Sequence, residues 1–130
     1  MKDYTIPVRR YVIDETMLNP NHTLFGGCAM GWMDKLGHNL AESITGKTMF
    51  TSSADKIKFL KPAFQGEVVE VKAEVENLGA IRLVVKTTVT ADPDGPNRRD
   101  VLTGYFTFVQ LDENYRPRPI HYPSDENLLC

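Results

Sequence analysis

The sequence has only two cysteines, Cys28 and Cys130, among 130 residues. Two are too few for a disulfide framework, and their separation matches no metal-ligand spacing. No apolar run approaches the length that crosses a bilayer. The first residues, Met1-Lys2-Asp3-Tyr4-Thr5, lack the apolar stretch of a secretory signal. A surplus of positive charge is also missing: 15 Lys and Arg stand against 17 Asp and Glu, a net charge of −2, whereas nucleic-acid binders carry a clustered basic excess. With 42% hydrophobic and 25% charged residues the chain is neither disordered nor fibrous. These absences lead us to expect a cytoplasmic, thiol-reduced protein, one domain over residues 1–130. No metal, nucleic-acid partner or membrane partner is expected.

What is present is strongly patterned. From Gly26 to about Thr45, apolar positions recur at three-to-four spacing: Ala29, Met30, Met33, Leu36, Gly37, Leu40, Ala41 and Ile44. Lys35, His38, Asn39 and Glu42 take the other side, and Gly46 supplies a C-terminal stop. This predicts one long helix. After it the period becomes two: Val69, Val71, Ala73 and Val75 alternate with charged residues. Further strands are expected at about 8–13, at 56–59 before Pro62, at 81–89 after Gly79, and at 101–111. The last is apolar on both faces and so central. Residues 92–97 read as a turn, and residues 113–130, with Pro117, Pro119 and Pro123, as a mostly irregular tail. One helix and about five strands make an α+β domain in which a curved antiparallel sheet wraps the helix, because no second helix covers another face. Such a sheet leaves an open edge, which pairing with a second copy satisfies, so a homodimer is expected.

Chemistry-bearing residues gather near the helix start. Gly26-Gly27 permits close approach of a ligand and leaves N–H groups exposed at the positive end of the helix dipole; the same pair also serves as a plain tight turn. Asp34 falls at the border of the apolar stripe. It is either a half-desolvated carboxylate suited to proton transfer or a solvated helix-edge residue. His38, one turn on, either pairs with Asp34 or faces solvent. Thr51, Ser52 and Ser53 lack the context of an activated nucleophile. Cys28 lies in the first turn, where a thiolate is favoured, but no His–Asn or His–Asp arrangement supports it, so packing is expected. Met30 and Met33 read as core. Cations are scattered (Lys56, Lys58, Lys61, Arg82, Lys86, Arg98, Arg99, Arg116, Arg118) and would form a phosphate-binding rim only by converging in the fold.

The stretch Asn19-Pro20-Asn21-His22-Thr23-Leu24-Phe25-Gly26-Gly27, followed by Met30 and Trp32-Met33-Asp34, resembles the hotdog-fold acyl-CoA thioesterases of the cytosolic acyl-CoA hydrolase family. The similarity continues through residues 53–62, Gly66-Glu67-Val68-Val69-Glu70 and Tyr105-Phe106-Thr107-Phe108-Val109, and ends in Arg116-Pro117-Arg118-Pro119. The individual motifs are short; their order along the chain carries the specificity. The resemblance implies a wrapped central helix, dimers with a continuous sheet, and often a trimer of dimers. Asp34 corresponds to the family's helix carboxylate, a general base or nucleophile. Asn19 corresponds to an asparagine supplied by the facing subunit. Gly26 and Gly27 would offer N–H groups to the thioester oxygen. Lys58, Gly79, Arg82 and Arg99 are the residues expected near coenzyme A, which is part of the substrate and not a cofactor. Met33, Trp32, Phe50 and Phe59 are candidates for the acyl tunnel.

Two departures from the family accompany this match. His22 stands where the family has glycine, and either alters the loop or enters the pocket. After Gly79 the chain reads Ala80-Ile81-Arg82 in place of arginine with small hydroxyl residues, and Arg82 would substitute in a shifted register. Asn19-Pro20-Asn21-His22 also resembles part of the motif of hotdog enoyl-CoA hydratases, although their aspartate is replaced by Met17. A non-catalytic acyl-CoA-binding module is the alternative of another class. Thioester hydrolysis fits the residues best: a thiolate leaves readily, a carboxylate activates water, and amide donors hold the oxyanion.

Overall fold

The structure is a computed structural model that describes residues 6–123. Residues 1–5, from which the absence of a secretory signal was read, and residues 124–130, which include Cys130, lie outside the described residues. The elements run β1 (Val8–Val12), a 3-10 turn (Glu15–Met17), α1 (Gly26–Thr45), β2 (Phe50–Phe59), β3 (Val68–Leu78), β4 (Arg82–Ala91), β5 (Arg99–Leu111) and β6 (Pro117–Arg118). The strands form one antiparallel sheet in the order β1-β3-β4-β5-β2, with β6 added to the end of β5. The expected wrapped-helix α+β architecture is the one observed.

The helix follows its sequence pattern. Ala29, Met33, Leu36, Leu40, Ala41 and Ile44 are buried against the sheet, and Gly46 closes α1 in the left-handed region at φ 66°, its N–H donating to Glu42 O at 2.8 Å. The inward residues of the sheet are those that alternate: Val69, Val71 and Ala73 on β3, Leu83, Val85, Thr87 and Val89 on β4, Leu102, Phe106 and Phe108 on β5. Gly37 brings helix and sheet together, since a Cβ there would sit 3.2 Å from the fully buried ring of Phe108. Tyr11 of β1 stacks on Trp32 of α1 with ring centroids 4.1 Å apart, fastening the opposite edge.

Three expectations are corrected. β2 begins at Phe50, six residues before the expected strand. It is an edge strand with nine of its ten residues exposed, so no inward alternation announces it. β5 is interior, as expected, but it is not apolar on both faces, because Thr103, Tyr105 and Thr107 occupy the outer one. Ile81 precedes β4 and is exposed. The described part of the tail is mostly irregular, as expected, but it is anchored to the sheet. After a turn at Asp112–Arg116 it pairs as β6, buries Ile120, and ties that residue's N–H to Ala80 O at 2.7 Å.

Candidate active site

The loop before α1 is organised by Asn19. Its Oδ1 accepts from the N–H of Asn21 (2.9 Å) and of Thr23 (3.1 Å), and its Nδ2 donates to Thr23 Oγ1 at 2.8 Å. The amide nitrogen carries two hydrogens, so one donor remains for a ligand. The loop turns at His22, whose φ of 63° lies in the left-handed region that glycine enters most easily and histidine tolerates. This accounts for the glycine usual at that position. His22 keeps the turn but is exposed and does not line the groove below.

A groove of about 590 Å³ opens at the N-terminal end of α1, lined by Asn19, Thr23, Gly26, Gly27, Phe59 and Lys61 among others. Phe25, at the helix cap, makes no side-chain capping bond. Among the described residues the N–H groups of Gly26 and Gly27 have no partner, and they point the positive end of the helix dipole at the groove. A Cβ at Gly26 would lie 2.5 Å from Phe59 Cε1, so glycine is what lets that ring close over the helix start. Phe25, Phe59, Leu60 and Phe64 leave an apolar, largely exposed rim. Of the expected tunnel residues only Phe59 lines the groove: Met33 is fully buried core, Trp32 is stacked on Tyr11, and Phe50 is exposed elsewhere.

Asp34 lies two turns further along α1, about 10 Å from Gly27 at 1.5 Å per residue. It is half-buried, and Thr51 Oγ1 of β2 donates to its Oδ1 at 2.7 Å. Sequence reasoning missed Thr51, because the contact depends on where β2 starts and no local motif marks it. His38 does not pair with Asp34. It turns to the Met49 carbonyl (2.6 Å) and to Glu42 (3.2 Å). Burial, and secondarily the Asp14 carboxylate, pushes the Cys28 thiol above its ordinary range, in keeping with a packing role.

The expected coenzyme A contacts do not converge within one chain. Lys58 pairs opposite Thr103 and Arg82 opposite Val109, six residues apart on β5 or about 20 Å. Gly79 sits in the β3–β4 turn, its N–H bonded to Arg82 O (2.9 Å) and its carbonyl to Tyr122 OH (2.7 Å). Arg99 is committed inside the chain. Its guanidinium donates to both carboxylate oxygens of Glu67 (2.6 and 3.0 Å) and to Pro62 O (3.0 and 3.2 Å), holding the loop that forms one wall of the groove. Among the described residues no group of three or more His, Cys, Asp or Glu side chains is arranged to hold a metal, and no helix is long and apolar enough to cross a membrane.

With this geometry, the similarity to known proteins has a physical footing. A family model for the thioesterase superfamily matches residues 21–96, and the chain belongs to that superfamily. It is 31% identical over 115 residues to an uncharacterized acyl-CoA thioester hydrolase of Haemophilus influenzae, covering 85% of this chain and 74% of the relative. Its fold is similar to that of an acyl-CoA hydrolase from Staphylococcus aureus solved with butyryl coenzyme A and coenzyme A (TM-score 0.81, 26% identity, 90% of this chain and 72% of that one). It is also similar to a hexameric hotdog-fold thioesterase of Campylobacter jejuni (TM-score 0.77, 25% identity, 92% of each chain). Further structures of the S. aureus enzyme carry alanine in place of an asparagine, an aspartate and a threonine, separated by 15 and 17 residues. Asn19, Asp34 and Thr51 have the same order and the same spacings.

Proposed function

We propose that this chain hydrolyses acyl-CoA thioesters to a free acid and coenzyme A at a site built by two copies. The observation that carries the reading is the position of its two halves along β2, an open edge strand. Asp34 and Thr51 belong to the Phe50 end, and Asn19, Gly26 and Gly27 to the Phe59 end. Antiparallel pairing of β2 with its copy reverses the ends, so each carboxylate meets the partner's oxyanion donors, and the exposed apolar rim finds cover.

In such a site Asp34, oriented by Thr51, removes a proton from water as the oxygen attacks the thioester carbonyl. The carbonyl oxygen takes the negative charge and is held by the spare N–H of Asn19 and the amides of Gly26 and Gly27. Collapse expels the thiolate, which recovers the proton from Asp34. No cofactor enters this scheme; coenzyme A arrives as part of the substrate. Lys58 and Lys61 on one copy and Gly79 and Arg82 on another would meet its phosphates, whereas Arg99 serves the groove wall. A dimer, arranged as a trimer of dimers, working in the cytoplasm completes the reading.

The test is release of free thiol from a series of short, medium, long and aromatic acyl-CoAs. Asp34→Asn is expected to fold with an unchanged melting temperature and to lose at least about 10³-fold in kcat. Thiol release at the wild-type rate would overturn the assignment. A single turnover in ¹⁸O-water tests the nucleophilic role of Asp34: label entering Asp34 marks attack through an anhydride and excludes the simple base route.

A further inference from the structure

Asp34, His38 and Glu42 are spaced four residues apart and form one stripe of α1 facing the start of β2. Asp34 receives the Thr51 hydroxyl. The other two residues close on the backbone of Met49, two positions earlier. Glu42 Oε2 accepts the Met49 N–H at 2.9 Å, and His38 Nε2 lies 2.6 Å from the Met49 carbonyl and 3.2 Å from the same Glu42 oxygen. A carbonyl only accepts, so Nε2 carries the hydrogen and the tautomer is set. The imidazole cannot swing freely, because its ring packs against Phe108 with centroids 5.9 Å apart, and Phe108 is the cross-strand partner of Thr51. Both polar groups of a buried backbone unit are thus satisfied by side chains of the same helix that bears the carboxylate, where an unpaired group would be costly.

We propose that His38 and Glu42 are positioning residues: they clamp Met49 so that β2 delivers Thr51 to Asp34 in one geometry. The inference rests on the reading of Asp34 as the reacting carboxylate. The ladder to β5 holds β2 on one side only and shifts register directly after Thr51, and few side chains of this edge strand point inward, so the clamp at Met49 is what ties its start to the helix. A slip of one residue would turn Thr51 away from Asp34.

The experiment is a double-mutant cycle on kcat and KM with a short acyl-CoA, using His38→Leu, Thr51→Val and the pair. His38→Leu is expected to lower kcat about tenfold while KM stays within about twofold, and to cost little more once Thr51 is valine. His38→Gln keeps a donor where Nε2 stood and is expected to recover most of the loss. Glu42→Gln, which still accepts the Met49 N–H, should likewise outperform Glu42→Ala and serves if His38→Leu fails to fold. Additive losses, or an effect on KM alone, would overturn the clamp. Should Asp34→Asn prove fully active, the hydrolytic reading fails, and amide hydrogen exchange still tests the clamp: faster exchange at Met49 and Thr51 in His38→Leu supports it, and unchanged exchange refutes it.

Discussion

Arg99 illustrates how a side chain's role is decided by what its atoms touch. By sequence it is one cation in a dispersed set; in the fold its planar fork is filled by Glu67 and the Pro62 carbonyl. That pairing holds the Glu67 carboxyl below the usual carboxylate range, Arg99's hydrogen bonds being the largest cause. A depressed carboxylate contributes stability above its unfolded value, near 4.3, and the contribution is lost as pH falls through the folded value. Glu67→Gln should therefore cost on the order of 1 kcal/mol at neutral pH and nothing measurable near pH 2. Thermal melts of both proteins from pH 7 to 2 check this, and a penalty constant across the range would count against it. At the same scale Asn19 and Asp34 were legible through the family resemblance, with Asp34's border position also visible in the helical period. Thr51 was not, because a hydroxyl in a polar run acquires meaning only from strand register. Nor was the left-handed φ of His22 written in its identity.

Elements were legible in proportion to how unequal their two faces are. α1 and the inner residues of β3 and β4 were read from periodicity, since one side of each is dry. β2 hid its first six residues, Phe50 to Asp55, because an edge strand exposed on both sides has no contrast to display, and β6 hid behind its proline. The helix–sheet contact carries its own prediction. Gly37→Ala raises helix propensity by about 1 kcal/mol, yet it sets a methyl 3.2 Å from the ring of Phe108, which is fully buried and must give by a few tenths of an ångström. Overpacking of this kind costs about 1–3 kcal/mol. A net loss of about 1 kcal/mol in urea unfolding is expected; a stabilised variant would show that the interface yields.

For the molecule as a whole, an active site divided between copies makes a quantitative claim. Asn19→Ala and Asp34→Asn, each inactive alone, should restore activity when refolded together. Only mixed pairs hold an intact site, and only one of their two, so about a quarter of the wild-type rate is expected. Persistent inactivity of the mixture, with mixed pairs demonstrated by mass spectrometry, would place both residues in one chain's site. Such a division also makes catalysis a property of amount. Once the chain is diluted below the point where copies find each other along β2, turnover per molecule should decline with concentration, and adding an Asp34→Asn copy, which still lends Asn19 and the glycine amides, should rescue part of it. Cellular abundance would then act as a throttle on the reaction without any regulatory ligand.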